Sequence, residues 1–199
     1  ALRKDGQVVC WGHLRGPWVS PPQSIAGAVL GVTLSRGSPR CAIRKDGAVE
    51  CWGAPGATHI VYGVAMVQQV ATSPLLATGP LQADGSACAV QRFGRVYCWG
   101  KNNYGQLGDG TTDDSAAPVA VLGVADATGV AVGHQFACAL RKTGQVVCWG
   151  RNYGGQLGDG TTISRHIPVM VLGVGHTASD VAAGTHDACA LRKDGQVVC

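Results

Sequence analysis

Residues 138–150 read CALRKTGQVVCWG, and versions of this phrase occur five times along the chain. Residues 41–53 and 88–100 hold the other complete copies, and the copies at the two ends of the sequence are partial. The copies are spaced 41, 47, 50 and 51 residues apart, measured between their central glycines Gly6, Gly47, Gly94, Gly144 and Gly195. A repeat of about 40 to 50 residues is typical of propellers and solenoids, and these folds provide binding surfaces more often than active sites.

The phrase predicts a β-hairpin. Residues 138–141 and 145–149 are β-prone, and Lys142-Thr143-Gly144 between them suits a type I turn with a bulge, because Gly adopts the left-handed conformation at little cost. Pairing Arg141 with Gln145 sets the register. It places opposite one another Leu140 and Val146, Ala139 and Val147, and Cys138 and Cys148.

Each complete copy, and the partial copy at the end of the sequence, therefore carries two cysteines that face each other across the hairpin, where side chains approach closely enough for a disulfide. The predicted pairs are Cys41 and Cys51, Cys88 and Cys98, Cys138 and Cys148, and Cys189 and Cys199. We expect the ninth cysteine, Cys10, to pair with a cysteine preceding Ala1 in a longer repeat protein. Free buried cysteines in a reducing cell are an alternative. Zinc is disfavoured, because there is no C-x-x-C pair and facing strand positions do not converge four ligands.

The remainder of a unit predicts a coiled crossover and further strands. Residues 99–112 (WGKNNYGQLGDGTT) and their twin 149–162 (WGRNYGGQLGDGTT) are too rich in Gly and Asn for a strand. Short strands are predicted in both units after the crossover, over 118–124, 130–132, 168–174 and 181–183. A proline begins the first strand of each pair, as suits a sheet edge. Each unit then holds about four strands, which is one propeller blade.

We therefore predict an all-β chain of four-stranded antiparallel propeller blades, each about 50 residues long. A single repeat domain covers 1–199. Its units, counted from the cysteines, are 1–40, 41–87, 88–137 and 138–188, with the start of a fifth at 189–199. In the first two units the glycine-rich crossover is missing after Trp11 and Trp52, and residues 28–32 match the later strand at 118–124.

Composition disfavours several classes of function. The net charge of +4 is too small to indicate binding to a specific nucleic acid. The sequence has no apolar run of 18 residues, so no transmembrane segment is predicted. The sequence has only twelve carboxylates and no recognisable nucleophile motif. We therefore predict that the protein is not an enzyme and has no cofactor. Residues 108–114 (GDGTTDD) resemble a calcium loop only in part, and a plain turn is favoured because the twin lacks the extra acids.

The phrases C-A-L-R-K-x-G-x-V-x-C-W-G and W-G-x-N-x-x-G-Q-L-G-D-G-T-T resemble the repeats of the regulator of chromosome condensation family, strongly over 88–199 and weakly over 1–82. The resemblance implies a seven-bladed β-propeller, of which about four units lie in this sequence. It also implies a likeness to bacterial secreted or surface members that have paired cysteines. The family includes a nucleotide exchange factor for a nuclear GTPase, ubiquitin-ligase modules, a plant ultraviolet sensor and a secreted β-lactamase inhibitor. The fold therefore does not fix one function.

Two sets of residues follow from the repeat. Blade packing is predicted for the anchors that recur once per unit: Trp11, Trp52, Trp99, Trp149, Leu107 and Leu157. Partner contact is predicted for Trp18, which lies outside the pattern, and for crossover positions that differ between the twins. The candidates are Trp18, Lys101, Asn103, Tyr104, Arg151 and Tyr153. His134 and His186 are interpreted as structural, and the Arg-Lys pairs at the hairpin tips predict a basic arc that Asp residues partly offset.

We expect a non-catalytic interaction scaffold, located extracellularly, at the cell surface or in the periplasm. It would bind a protein or other macromolecule through its blade loops, with an anionic partner as one option. The alternative is a propeller for guanine nucleotide exchange or GTPase binding, as in the founding member of the family. A thiol count separates the two, because four blocked cysteine pairs favour the first and nine reactive thiols favour the second.

Overall fold

The computed structural model of the protein describes residues 9–10, 23–24, 29–33, 40–52, 58–73 and 85–199. All regular secondary structure within these ranges is β-strand. In chain order the strands are β1 Val9–Cys10, β2 Gln23–Ser24, β3 Val29–Thr33, β4 Arg40–Arg44, β5 Val49–Trp52, β6 Thr58–Val61, β7 Val67–Thr72, β8 Ser86–Gln91, β9 Val96–Gly100, β10 Ser115–Ala120, β11 Ala127–Val132, β12 Phe136–Arg141, β13 Val146–Gly150, β14 Arg165–Met170, β15 Ala178–Ala183, β16 Ala188–Arg192 and β17 Val197–Val198. No described residue belongs to a helix long and apolar enough to cross a membrane.

The strands form antiparallel meanders in which sequence neighbours pair. Sheet A contains β3 to β6, sheet B contains β7 to β10, sheet C contains β11 to β14 and sheet D contains β15 to β17, while β1 pairs with β2. The predicted all-β class and four-stranded antiparallel blades are confirmed by sheets A, B and C. Each sheet begins one strand before its cysteine hairpin, so the sheets and the units counted from the cysteines are offset by one strand.

The hairpin register is the predicted one. Leu140 pairs with Val146, and Cys138 pairs with Cys148. Gly144 at the tip has a φ of 81°, the left-handed conformation that the turn requires. All four predicted disulfides are present, and they link Cys41 to Cys51, Cys88 to Cys98, Cys138 to Cys148 and Cys189 to Cys199. The first three are buried between sheets.

The strands predicted at 118–124 and 168–174 were wrong in their bounds. The observed strands β10 and β14 start three residues earlier and end at Ala120 and Met170, so the prolines lie inside them. An edge strand tolerates proline because its outer side needs no partner, and a bulge between Ser115 and Val119 absorbs the irregularity. The strands end because the segment turns at Gly123 and Gly173, which have φ angles of 70° and 77°.

The match of residues 28–32 to the strand at 118–124 was also misleading. Strand β3 pairs with β4 and so takes the first position of sheet A, whereas β10 takes the last position of sheet B. A strand that enters the cysteine hairpin directly pairs with it, and this proximity in sequence outweighs the similarity of apolar residues.

Neighbouring sheets are joined by their first strands and by their hairpin tips. The side chain of Gln69 in β7 accepts a hydrogen bond from Val130 N at 2.9 Å and donates one to Val130 O at 3.1 Å, which joins β7 to β11. At the tips, Gly94 O accepts from Ala127 N at 2.9 Å, and the equivalent contacts recur at the other sheet pairs. Each sheet is therefore held by its nearest neighbours, as expected of a repeat fold.

Candidate interaction surface

The antiparallel order divides the loops between two ends of the sheets. One end, the tip face, carries the turns of the cysteine hairpins. The other, the loop face, carries the crossovers 101–114 and 151–164 together with the short turns 133–135 and 184–187. Five of the six candidate contact residues lie in the crossovers of the loop face, and Trp18 lies outside the described residues.

A buried asparagine organises each crossover. Asn102 is fully buried, its Oδ1 accepts from Leu107 N at 2.9 Å, and its Nδ2 donates to Thr111 O at 3.2 Å. Asn152 makes the twin contacts with Leu157 N at 2.9 Å and Thr161 O at 3.0 Å. Because the amide satisfies backbone groups from both halves of the loop, the crossover has a defined path without regular secondary structure.

An ion pair reinforces the second crossover. Asp159 accepts hydrogen bonds from Thr161 N at 3.0 Å and Thr161 Oγ1 at 2.8 Å, and Arg165 Nε lies 2.9 Å from its Oδ2. Burial alone would raise the pKa of Asp159, but the hydrogen bonds from Thr161, Arg165 and Asn152 outweigh it and lower the pKa to about 2. Serine occupies the matching position 115 in the first crossover.

Four of the six predicted anchors lie between sheets: Trp99, Trp149, Leu107 and Leu157. Trp149 is buried in one cluster with Leu107, and its Nε1 donates to Gln106 O at 2.9 Å. Gly108 makes room for this indole, since a Cβ there would lie 2.8 Å from Nε1. Trp99 packs in the cluster between sheets A and B, and Leu157 packs in the one between sheets C and D. Of the remaining anchors, Trp52 ends β5, and Trp11 lies outside the described residues.

Three candidate residues from two neighbouring crossovers meet on the loop face. The Tyr104 and Tyr153 rings are 5.7 Å apart, edge to face. The guanidinium carbon of Arg151 lies 5.5 Å from the centroid of Tyr104 and 5.3 Å from that of Tyr153. Both distances are within the range of a cation–π contact. Tyr153 is 63% exposed, so this cluster presents aromatic surface to solvent.

The other two candidates belong to the first crossover alone. Lys101 Nζ lies 2.6 Å from Asp114 Oδ2, and Asp114 Oδ1 accepts from Asn102 N at 2.8 Å. Burial acts to raise the pKa of Asp114, but its bonds to Lys101 and Asn102 prevail and lower it. Asn103 is exposed beside them.

Polar groups from neighbouring turns support the cluster; sequence reasoning missed Gln135 and interpreted His134 and His186 only as structural residues. Arg151 Nη1 donates to Gln135 Oε1 at 3.0 Å, and the rings of His134 and His186 lie 5.8 Å apart. Burial, the charge of Arg151 and the proximity of His186 all lower the pKa of His134. One feature of the sequence could have grouped these residues: His134, Gln135 and His186 each lie within four residues before the first cysteine of their hairpin.

The tip face carries cations that are partly neutralised. Arg44 pairs with Asp46 at 3.2 Å, and Arg192 pairs with Asp194 at 3.5 Å. Arg141 pairs with Asp126 at 2.8 Å. The described tip lysines, Lys45, Lys142 and Lys193, are exposed, so this part of the tip face carries dispersed positive charge.

Two models of one repeat family match the chain. The regulator of chromosome condensation (RCC1) repeat matches residues 94–140 and 143–191, and a second model of that repeat matches 127–156. No curated protein matches the sequence of this chain.

Solved propellers show the same fold at low identity. Human WBSCR16 has a TM-score of 0.74 and 22% identity, over 96% of this chain and 55% of that chain. Yeast RCC1 (Prp20) bound to Kap60 has a TM-score of 0.73 and 17% identity, over 96% and 51%. Prp20p from Saccharomyces cerevisiae, described with its binding to Gsp1p and histones, has a TM-score of 0.74 and 16% identity, over 96% of this chain and 53% of that chain. The chain therefore spans about half the length of these structures.

Proposed function

Because residues 94–140 and 143–191 match the regulator of chromosome condensation repeat, we propose that this propeller is a non-catalytic scaffold that binds a macromolecular partner through its loop face. Propellers of this family serve unrelated activities, so the proposal depends on the surface and not on the fold. The observation that carries it is the cluster of Tyr104, Arg151 and Tyr153.

The chemistry of that cluster suits a binding surface. Tyrosine and arginine are the residue types that contribute most to protein interfaces, because they combine a large contact area with directional polar groups. The two crossovers that supply them are held by the buried amides of Asn102 and Asn152. A partner would thus meet side chains on an ordered backbone, which lowers the entropy lost on association.

The disulfides support a location outside the reducing cytosol. Cys41, Cys88 and Cys138 are each completely buried and bonded within their own hairpin. Such bonds form and persist in extracellular, cell-surface or periplasmic proteins. Counting thiols in the denatured, unreduced protein tests this part, because an intracellular exchange factor or GTPase-binding propeller would show nine reactive thiols.

A capture experiment tests the binding role. Wild-type protein, the variant Tyr104→Ala/Tyr153→Ala and a tip-face control, Lys142→Ala/Lys193→Ala, are immobilised and exposed to the secreted and surface proteins of the source organism. We expect a species that the wild type and the control retain equally and that the tyrosine variant retains at least tenfold less. Equal capture by all three proteins would overturn the proposal, and circular dichroism checks that each variant is folded.

A further inference from the structure

Arg151 is the exception among the partly buried arginines of the described residues. The other four each have a carboxylate within salt-bridge distance: Arg44, Arg141, Arg165 and Arg192. For Arg151 the described residues supply no carboxylate at that distance: its side-chain partners are the neutral amide of Gln135, at 3.0 Å, and the two tyrosine rings. A partly desolvated guanidinium with no counter-charge is unfavourable, so a feature of this kind points to an external anion.

Comparison of the twin crossovers shows why Arg151 has no carboxylate partner in its own loop. In the first crossover Lys101 is neutralised by Asp114, thirteen residues later, at 2.6 Å. The matching pair in the second crossover is Arg151 and Ser164. Ser164 keeps the hydrogen bond that Asp114 makes to the loop backbone: its Oγ accepts from Asn152 N at 3.2 Å, as Asp114 Oδ1 accepts from Asn102 N. The loop frame is therefore kept while the charge of Arg151 is left uncompensated.

The surroundings of Arg151 define what it can hold. The rings of Tyr104 and Tyr153 give apolar walls at 5.5 and 5.3 Å from the guanidinium carbon. Arg151 Nε and His134 Nδ1 are both shielded from solvent without a hydrogen-bond partner among the described residues. Asp187, next to His186 in sequence, makes no salt bridge to Arg151.

We propose that Arg151 is the anchor for a carboxylate side chain from an acidic segment of a protein partner. The inference rests on the proposed function and gives the partner its chemistry. A guanidinium binds a carboxylate through paired N–H donors, and the tyrosine rings suit the methylene groups of Asp or Glu. Arg151 is the one permanently charged side chain among these residues, and a single guanidinium matches a monoanion better than a doubly charged phosphate.

Fluorescence anisotropy with defined peptides tests the anchor. The probe is a labelled Glu-rich decapeptide at low salt, compared with its Gln-substituted form, a phosphoserine form and inorganic phosphate. We expect saturable binding of the Glu peptide, at least tenfold weaker binding of the Gln peptide, and no preference for phosphate. Tighter binding of the phosphoserine peptide or of phosphate would overturn the carboxylate assignment, as would the absence of saturable binding of the Glu peptide.

Three variants locate the binding. Arg151→Gln and Ser164→Asp should each weaken Glu-peptide binding at least tenfold, the second because it restores the internal carboxylate of the twin crossover while keeping the arginine. Lys142→Gln on the tip face removes the same charge as Arg151→Gln and should leave binding within twofold. Unchanged binding to Ser164→Asp overturns the anchor.

The captured partner separates the two proposals. If the wild type and Ser164→Asp retain it equally while Tyr104→Ala/Tyr153→Ala does not, the loop face binds a partner but Arg151 does not hold its carboxylate. If no species depends on the tyrosines, the proposed function itself fails.

Discussion

Replacing Asp159 by Asn removes one negative charge from the interior of the second crossover while keeping the shape of the side chain. The side chain of Asp159 is 6% exposed and lies 2.9 Å from Arg165 Nε. The amide oxygen of Asn can still accept from Thr161 N and Asn152 Nδ2, as the carboxylate does now. The substitution therefore isolates the contribution of the charge.

The magnitude follows from the pKa of the carboxylate. Its pKa falls from an ordinary 3.8 to about 2 in the folded protein. One pKa unit corresponds to about 1.4 kcal/mol, so the ionised form of Asp159 stabilises the folded state by about 2 kcal/mol near neutral pH. Because the folded pKa is depressed, this stability is fully present above pH 3.8 and is lost as the pH falls through about 2.

Urea unfolding followed by tryptophan fluorescence measures the effect. At pH 7 we expect the free energy of unfolding of Asp159→Asn to be about 2 kcal/mol below that of the wild type, and the difference to shrink as the pH falls below about 4. Asp109→Asn is the matched control. Asp109 bonds to Asn102 and Thr111 as Asp159 bonds to their twins, but serine replaces its arginine partner.

The control should lose clearly less stability than Asp159→Asn at pH 7. Equal losses in the two variants would refute the role given to the arginine. A difference between wild type and Asp159→Asn that stays constant down to pH 2 would refute the assignment of the effect to ionisation.

Three further predictions follow from the packing between sheets and from exposure. Gly173→Ala should cost about 1 kcal/mol for its φ of 77° alone, since a Cβ there would meet nothing within 4 Å, and Gly144→Ala at least twice as much, because a Cβ there would lie 2.4 Å from the backbone oxygen of His176 in the segment that leads into sheet D; equal urea midpoints would contradict this. Trp149→Phe should lower the free energy of unfolding by about 1–3 kcal/mol, since a buried carbonyl loses its 2.9 Å indole donor, and an unchanged midpoint would exclude that role. Mild reductant under native conditions should leave Cys41–Cys51, Cys88–Cys98 and Cys138–Cys148 closed, because their six cysteines are at most 1% exposed; rapid alkylation of any of these three pairs, detected by mass mapping, would contradict this.

The hairpins were the part of the fold most open to prediction. The tip glycine and the two facing cysteines fix each register, because a turn of given length allows one pairing and a shift by one residue would separate the sulfurs. The outer strands β10 and β14 were less predictable. Their ends depend on a bulge and on glycines in a later turn, neither of which an apolar pattern contains.

The candidate surface was predictable in part. Comparing the twin crossovers pointed to Tyr104, Arg151 and Tyr153, and the structure brings these three together across two sheets. Gln135 was missed, and His134 was interpreted only as structural, because both reach the cluster from a different loop and the distance between loops depends on how the sheets pack. Repetition in a sequence reveals equivalent positions, but it does not show which unequal positions become neighbours.

The buried amides of Asn102 and Asn152 have a consequence for how such a protein can diversify. Each crossover separates an inward asparagine that fixes the path of the chain from outward side chains, such as Asn103 and Tyr153, that face solvent, much as an antibody framework supports its hypervariable loops. Mutation can therefore explore new ligand preferences one blade at a time without unfolding its neighbours. Asp114 and Ser164 illustrate this freedom, because both accept from the backbone N–H of the buried asparagine while only Asp114 neutralises the neighbouring cation.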